Sequence, residues 1–156
     1  MTVFCILGRI MMKVKVKISS VIENLDSLGN VEGESEENEA KCFGQYSYSE
    51  GEATLSYTER SDGGEVSSLI TVSGDTVTVK RLGAISSELK FKEGESYSSI
   101  YSIPPYSFDA TVRARKIRIS LDTEGGSVDL FYNMKIGGAE KSARMRIWIS
   151  PCSSKI

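Results

Sequence analysis

The chain contains no histidine, which removes the commonest general base and the commonest neutral metal ligand together. Histidine-based nucleophilic triads and histidine-ligated zinc sites are therefore excluded. Cysteine is scarce as well: Cys5, Cys42 and Cys152 are odd in number and lack the close spacing of a zinc or redox motif. They also lack the density of a secreted, disulfide-stapled scaffold. Asp75, Asp109, Asp122 and Asp129 show no metal-loop spacing, so neither a metal nor a cofactor is expected. There is no long apolar run. The stretch at residues 3–7 is shorter than a signal-peptide core, and Arg9 closes it. That argues against a transmembrane segment or export and for a cytoplasmic location. Only three prolines are present, and a composition 40% hydrophobic and 26% charged is that of a globular protein rather than a disordered one.

Also missing is any helical period long enough to cover a sheet. What fills the chain is alternation. Residues 11–18 place Val14, Val16 and Ile18 on one face and Lys13, Lys15 and Lys17 on the other, a pattern that a helix would scatter around its circumference. The same period of two returns with Ala53, Leu55 and Tyr57, then with Val77 and Val79 after a turn at Ser73, Gly74 and Asp75. It recurs from Val128 to Ile136 and from Ala143 to Ile149, two runs separated by Gly137 and Gly138. Between Phe108 and Leu121 the phase switches: Phe108, Ala110, Val112 and Ala114 share one face, whereas Ile117, Ile119 and Leu121 share the other. One extra residue in a strand produces that switch, so a bulge or a barrel corner is expected between Ala114 and Ile117.

About ten short strands emerge from the 156 residues, including a weaker one across residues 34–48. Tight turns between consecutive strands favour an up-and-down barrel, because closure removes exposed edges. The expected organisation is a single all-β antiparallel barrel over residues 11–150. Residues 1–10 are read as an N-terminal extension outside the core, and 151–156 as a C-terminal tail.

The net charge of −2 conceals two opposed regions. Residues 23–52 hold nine of the 21 acidic side chains against one of the 19 basic ones, Lys41. The preferred explanation is a solvated strand and hairpin, with an acidic partner-binding ribbon as the alternative. Basic runs occur at Lys13, Lys15 and Lys17, from Arg113 to Arg118, and at Arg144 and Arg146. With a pI near 5.3 and only Trp148 interleaved among them, nucleic-acid binding is not the expected function.

Two charges stand in apolar phases. Glu59 follows Leu55 and Tyr57, and Arg81 follows Val77 and Val79. If those phases face inward, each charge must be paired or strongly hydrogen-bonded. A buried ion pair and a polar anchor for a ligand are the two readings. Tyr97, Tyr101, Tyr106 and Tyr132 offer hydroxyls to a cavity, or amphipathic rings to the edge of a core. The pairs Gly125–Gly126 and Gly137–Gly138 lack the strand, glycine loop and helix context of a phosphate site and are read as turns.

Further features run together: Leu-Ser-Tyr-Thr-Glu at 55–59, glycines at 63 and 64, Val-Lys-Arg-Leu-Gly at 79–83, Phe91, Gly94, and Tyr101 followed by Pro104. They continue through Gly125 and Gly126 to Phe-Tyr-Asn-Met at 131–134 and Gly137. In this order and spacing the chain resembles the YwiB-type family of uncharacterised bacterial proteins over residues 51–149. The resemblance implies a calycin-like, lipocalin-like barrel of about eight to ten strands, closed or nearly so. It puts Tyr57, Glu59, Arg81, Gly83, Tyr101 and Tyr132 at recurring positions without assigning them a catalytic role. One departure is the Ile-Pro-Pro-Tyr at 103–106, where the family pattern reads Thr-Pro-Tyr-Gly.

The functional reading preferred from sequence is a non-enzymatic barrel that binds a small apolar or amphipathic molecule in or at its mouth. Glu59, Arg81, Tyr57, Tyr101 and Tyr132 are the candidate ligand-binding or buried polar residues. A scaffold whose interior is filled by Phe91, Phe108, Leu130, Tyr132, Met134 and Met145 is the alternative, and a carboxylate-dependent enzyme the third. The sequence sets no oligomeric state.

Overall fold

The computed structural model describes residues 3–6, 9–61 and 63–152. Parts of both expected terminal segments, residues 1, 2, 7 and 8 and residues 153–156, lie outside the described residues. The elements are β1 (Val3–Ile6), β2 (Arg9–Leu25), β3 (Val31–Ser49), β4 (Glu52–Ser61), β5 (Gly64–Ser73) and β6 (Thr76–Gly83). They continue with β7 (Ser87–Phe91), β8 (Ser96–Ile103), β9 (Tyr106–Asp122), β10 (Gly125–Ile136) and β11 (Ala139–Pro151). No helix occurs among the described residues, so none is long and apolar enough to cross a membrane.

Strands β2 to β11 follow one another as antiparallel neighbours in the order β7-β6-β5-β4-β3-β2-β11-β10-β9-β8. This is the up-and-down meander that the short turns predict. The remaining seam, between β7 and β8, is stitched where Ser86 and Ser102 exchange backbone hydrogen bonds of 2.8 Å each, and the β7–β8 turn is tied to β9 by the Gly94 amide, which donates to the Ala114 carbonyl at 2.9 Å. The result is a nearly closed ten-stranded barrel, with β1 folded back on the start of β2.

The expected bulge is present. Phe131 pairs with Lys116 and Tyr132 with Ala114, so Arg115 is the extra residue in β9. Its insertion lets Ala114 and Ile117 both point inward although they are three residues apart.

The inward rows change character along the barrel. One row runs Ala53, Val72, Val77, Phe91, and the next Leu55, Ile70, Val79, Leu89. All of these residues are buried. The third runs Gly44, Tyr57, Ser68, Arg81, Ser87. The first rows lie toward the turns β3–β4, β5–β6, β7–β8 and β9–β10, here called the closed end. The third lies toward the turns β4–β5, β6–β7, β8–β9 and β10–β11, the open end. At the rim of the open end, Gly83 adopts φ 128°; a β-carbon there would collide with the Glu65 carbonyl, so the close approach of β6 to β5 requires glycine.

Phe91, Leu130 and Met145 are buried and fill the closed half, as the scaffold alternative requires, while Tyr132, also buried, and Met134, packed against the core, continue the row toward the open end. Phe108 departs from that expectation. It is 39% exposed, because the inward phase of β9 carries it past the core to the rim, where it lies beside Gly137.

Candidate functional site

The third row is chemically unlike the two beneath it. Alternation along β4 brings Tyr57 and then Glu59 inward, the same alternation along β6 brings in Arg81, and Ser68 stands between them on β5. Ser87 on β7 is the direct neighbour of Arg81. On the facing wall, Ser99 is opposite Ala110, Tyr101 opposite Phe108, and Tyr132 opposite Ala114. Tyr57, Ser68, Ser87 and Tyr132 are each less than one-tenth exposed, whereas Glu59, Arg81 and Tyr101 are half-buried.

Six buried side-chain oxygens among the described residues have no hydrogen-bond partner. Four of them belong to this chamber: the hydroxyls of Tyr57, Ser68, Ser87 and Ser99. The other two, Gln45 Oε1 and Ser47 Oγ, are on the outer side of β3. Buried polar atoms are nearly always satisfied in native proteins, so these four hydroxyls, three along β4, β5 and β7 and one on β8, mark where an occupant, water included, would bond. At the closed end the same chemistry is satisfied by the protein itself: the Tyr46 hydroxyl donates to the Asp122 carbonyl at 2.7 Å.

Arg81 is felt by two of the buried tyrosines. Burial pushes the Tyr57 phenol above its ordinary pKa, opposed by the Arg81 charge and by the Ser68 hydroxyl, which comes close enough to interact without completing a hydrogen bond, and reinforced by Glu59 and Cys42. Burial likewise raises Tyr132, again opposed by Arg81 and reinforced by Tyr101. Arg81 thus links the residues singled out from sequence, acting on both Tyr57 and Tyr132, with Glu59 acting on the first and Tyr101 on the second. Glu59 and Arg81, however, form no salt bridge with each other among the described residues. Both charges remain open to an outside partner.

The wall also opens sideways. Pairing between β3 and β4 runs from Ser49 and Glu52 only as far as Gly44 and Tyr57. Beyond that point β3 bonds only to β2, and β4 only to β5. Cys42 and Glu59 flank the split. A cleft of about 450 Å³ follows this seam past Lys13, Phe43, Gln45 and Ser67 and reaches Tyr57 and Ser68.

Chemically, the chamber offers hydroxyl donors, one guanidinium and one carboxylate. The mechanism of two converging acids finds only Glu59 among these residues. The Cys42 thiol is pushed up by burial first and by Glu59 second, which opposes thiolate formation. No group of three potential metal ligands occurs among the described residues.

Of the other tyrosines considered from sequence, Tyr106 is 66% exposed at the β8–β9 turn, and Tyr97 lies under the Lys90 ammonium at 4.9 Å. Neither belongs to the chamber. Ser68, Ser87 and Ser99 were not anticipated. Their signal is a serine in an otherwise apolar phase, as in Val66-Ser68-Ile70 and Ser87-Leu89-Phe91.

A family model described as a domain of unknown function (DUF1934) matches residues 10–149. Among curated proteins, the "Uncharacterized beta-barrel protein YwiB" of Bacillus subtilis (strain 168) is 27% identical over 128 residues, covering 82% of this chain and 85% of that one. The crystal structure of the ywiB protein from Bacillus subtilis aligns with a TM-score of 0.73 at 26% identity, over 88% of this chain and 92% of that chain. The family expected from the motifs at 55–59, 79–83 and 131–137 is the one found.

Proposed function

The chain belongs to the family of the domain of unknown function DUF1934, and within that barrel frame we propose that it binds a small amphipathic molecule at the open end, without catalysing a reaction. The observation that carries this reading is the group of three buried, unpartnered hydroxyls, Tyr57, Ser68 and Ser87, on the row that holds Arg81. An acidic group of the ligand would bond Arg81 and the Ser87 hydroxyl, and a donor group would face Glu59. Its apolar part would rest against Tyr132 and Val66. The ligand has to be small, because the closed half of the interior is occupied by Phe91, Leu130 and Met145. Entry through the β3–β4 seam is consistent with the cleft there. A cytoplasmic location fits the free thiols of Cys42 and Cys152 and is part of the same proposal.

The filled closed half also favours a second reading, a scaffold whose interior holds only its own side chains. Native mass spectrometry of gently purified protein separates the two. The ligand reading expects a retained small-molecule adduct, lost from an Arg81→Met variant that keeps its melting temperature. A folded wild-type barrel with no adduct would leave the scaffold.

A further inference from the structure

The outer face of β3, β2, β11, β10 and β9 carries basic and aromatic side chains in alternation, an arrangement that no run of sequence displays. Cross-strand pairing creates it. Lys15 stands beside Phe43, and Lys17 stands between Lys41 and Trp148. Arg144 lies over the Phe131 ring at 4.6 Å, Arg146 over Trp148 at 4.7 Å, and Lys13 over Phe43 at 5.0 Å.

Asp129 fixes the centre of this surface. It accepts from Arg144 Nε at 3.1 Å and Nη2 at 2.8 Å, and Arg146 approaches it at 3.6 Å. Arg118 is its cross-strand neighbour on β9. One carboxylate thus holds the Arg144 and Arg146 guanidinium groups beside Arg118 and leaves the cluster positive.

Between Phe43 and Trp148 lies a cleft of about 400 Å³, rimmed by Lys15, Lys17 and Lys41. An aromatic-walled cleft with ammonium groups at its rim suits a planar ring attached to an anion. The basic surface continues from it across four inter-strand spacings, roughly 19 Å, so the anion it suits is a chain. Beyond Lys41 the exposed part of β3 turns acidic, with Glu39, Glu37 and Glu36, which would turn such a chain away from β3 and toward β9.

We propose that this face binds single-stranded nucleic acid, with a base in the Phe43–Trp148 cleft and phosphates along the lysines and the arginine cluster. Stacking on aromatic platforms beside a basic track is how strands are held without regard to sequence. Lys17 rests over Trp148 at 5.0 Å; its flexible stem lets a base take that place while the ammonium moves to a phosphate. A polyanion without bases would satisfy the charges and leave the cleft unused.

The test uses the chain's single tryptophan, Trp148, as its own reporter. Titration with oligothymidine or oligouridine at low salt is expected to quench Trp148 fluorescence, with an affinity that falls steeply as salt rises. Trp148→Leu, checked for an unchanged melting temperature, should weaken binding of a labelled strand by roughly tenfold. Lys15→Gln and Lys41→Gln should each lower the salt slope by about one. Absence of binding at low salt overturns the proposal. So does binding without quenching, or heparin competing equally well with wild type and Trp148→Leu, which would point to an acidic protein or another polyanion.

Discussion

Two tyrosines on the inward rows show how differently the ends of this barrel are built. Tyr46, toward the closed end, is 1% exposed and its hydroxyl donates to Asp122. Tyr57, toward the open end, is 4% exposed and its hydroxyl has no partner. Burial is nearly equal, so solvent access does not distinguish them. What differs is whether the fold itself completes the bond. At the closed end every feature serves packing. At the open end hydroxyls, a guanidinium and a carboxylate are held in place with their bonding capacity unused, and such local inconsistencies concentrate at functional sites.

The largest effect should come from the closed end. Phe91 is fully buried, and its ring meets Tyr132 edge to face with centroids 4.8 Å apart. Phe91→Ala is expected to cost about 3–5 kcal/mol in denaturant unfolding, from lost burial and the cavity left behind. Met134→Ala, at a half-buried position toward the open end, should cost less than half as much. Equal losses would mean that the open end is packed as tightly as the closed end, and the contrast between them would fail.

Next in size is the tyrosine pair. Tyr46→Phe strands the Asp122 carbonyl and should cost about 1–2 kcal/mol, whereas Tyr57→Phe removes a hydroxyl that bonds nothing and should leave stability unchanged. Alkaline titration adds a second readout. Burial first, then the nearby Asp122 and Tyr48, lifts Tyr46 well above the ordinary tyrosine value. A raised folded pKa stabilises the fold fully below the unfolded value, near pH 10, and that contribution is lost as pH climbs toward the folded pKa. Tyr46→Phe should therefore flatten the decline of stability above about pH 10. Tyr57→Phe should flatten it less, since Arg81 opposes the rise there.

Much of this contrast was legible in the sequence. The phases of Val14, Val16 and Ile18 and of Leu55 and Tyr57 reveal the inward rows, and the jump from Ala114 to Ile117 locates the bulge at Arg115. The same phases carry Glu59 and Arg81 inward. Whether those charges meet depends on register between β4, β5 and β6 and on side-chain reach, which alternation does not encode. The length of β3 that lacks a partner on its β4 side was hidden for the same reason, since nothing local to residues 31–43 tells that pairing with β4 ends at Tyr57. The outer surface illustrates the point most fully. Phe131 and Arg144 are thirteen residues apart in the chain and adjacent on the sheet, so the interleaving of rings and cations exists only after pairing.

The smallest expected change in stability is the most discriminating. Ser68 is 3% exposed, lies between Tyr57 and Arg81 on the third row, and bonds nothing. If its hydroxyl were a structural element, Ser68→Ala would destabilise the barrel as truncation of any satisfied buried donor does. If instead the hydroxyl waits for an occupant, the substitution relieves a desolvated polar group, and stability should stay within about 0.5 kcal/mol of wild type or rise slightly. The same variant should retain less of any small-molecule adduct in native mass spectrometry. A protein made no less stable and less able to hold its ligand is the signature of a site that trades stability for function. A clear loss of stability would instead join Ser68 to the structural chemistry of Tyr46, and the two ends would then differ in composition but not in purpose.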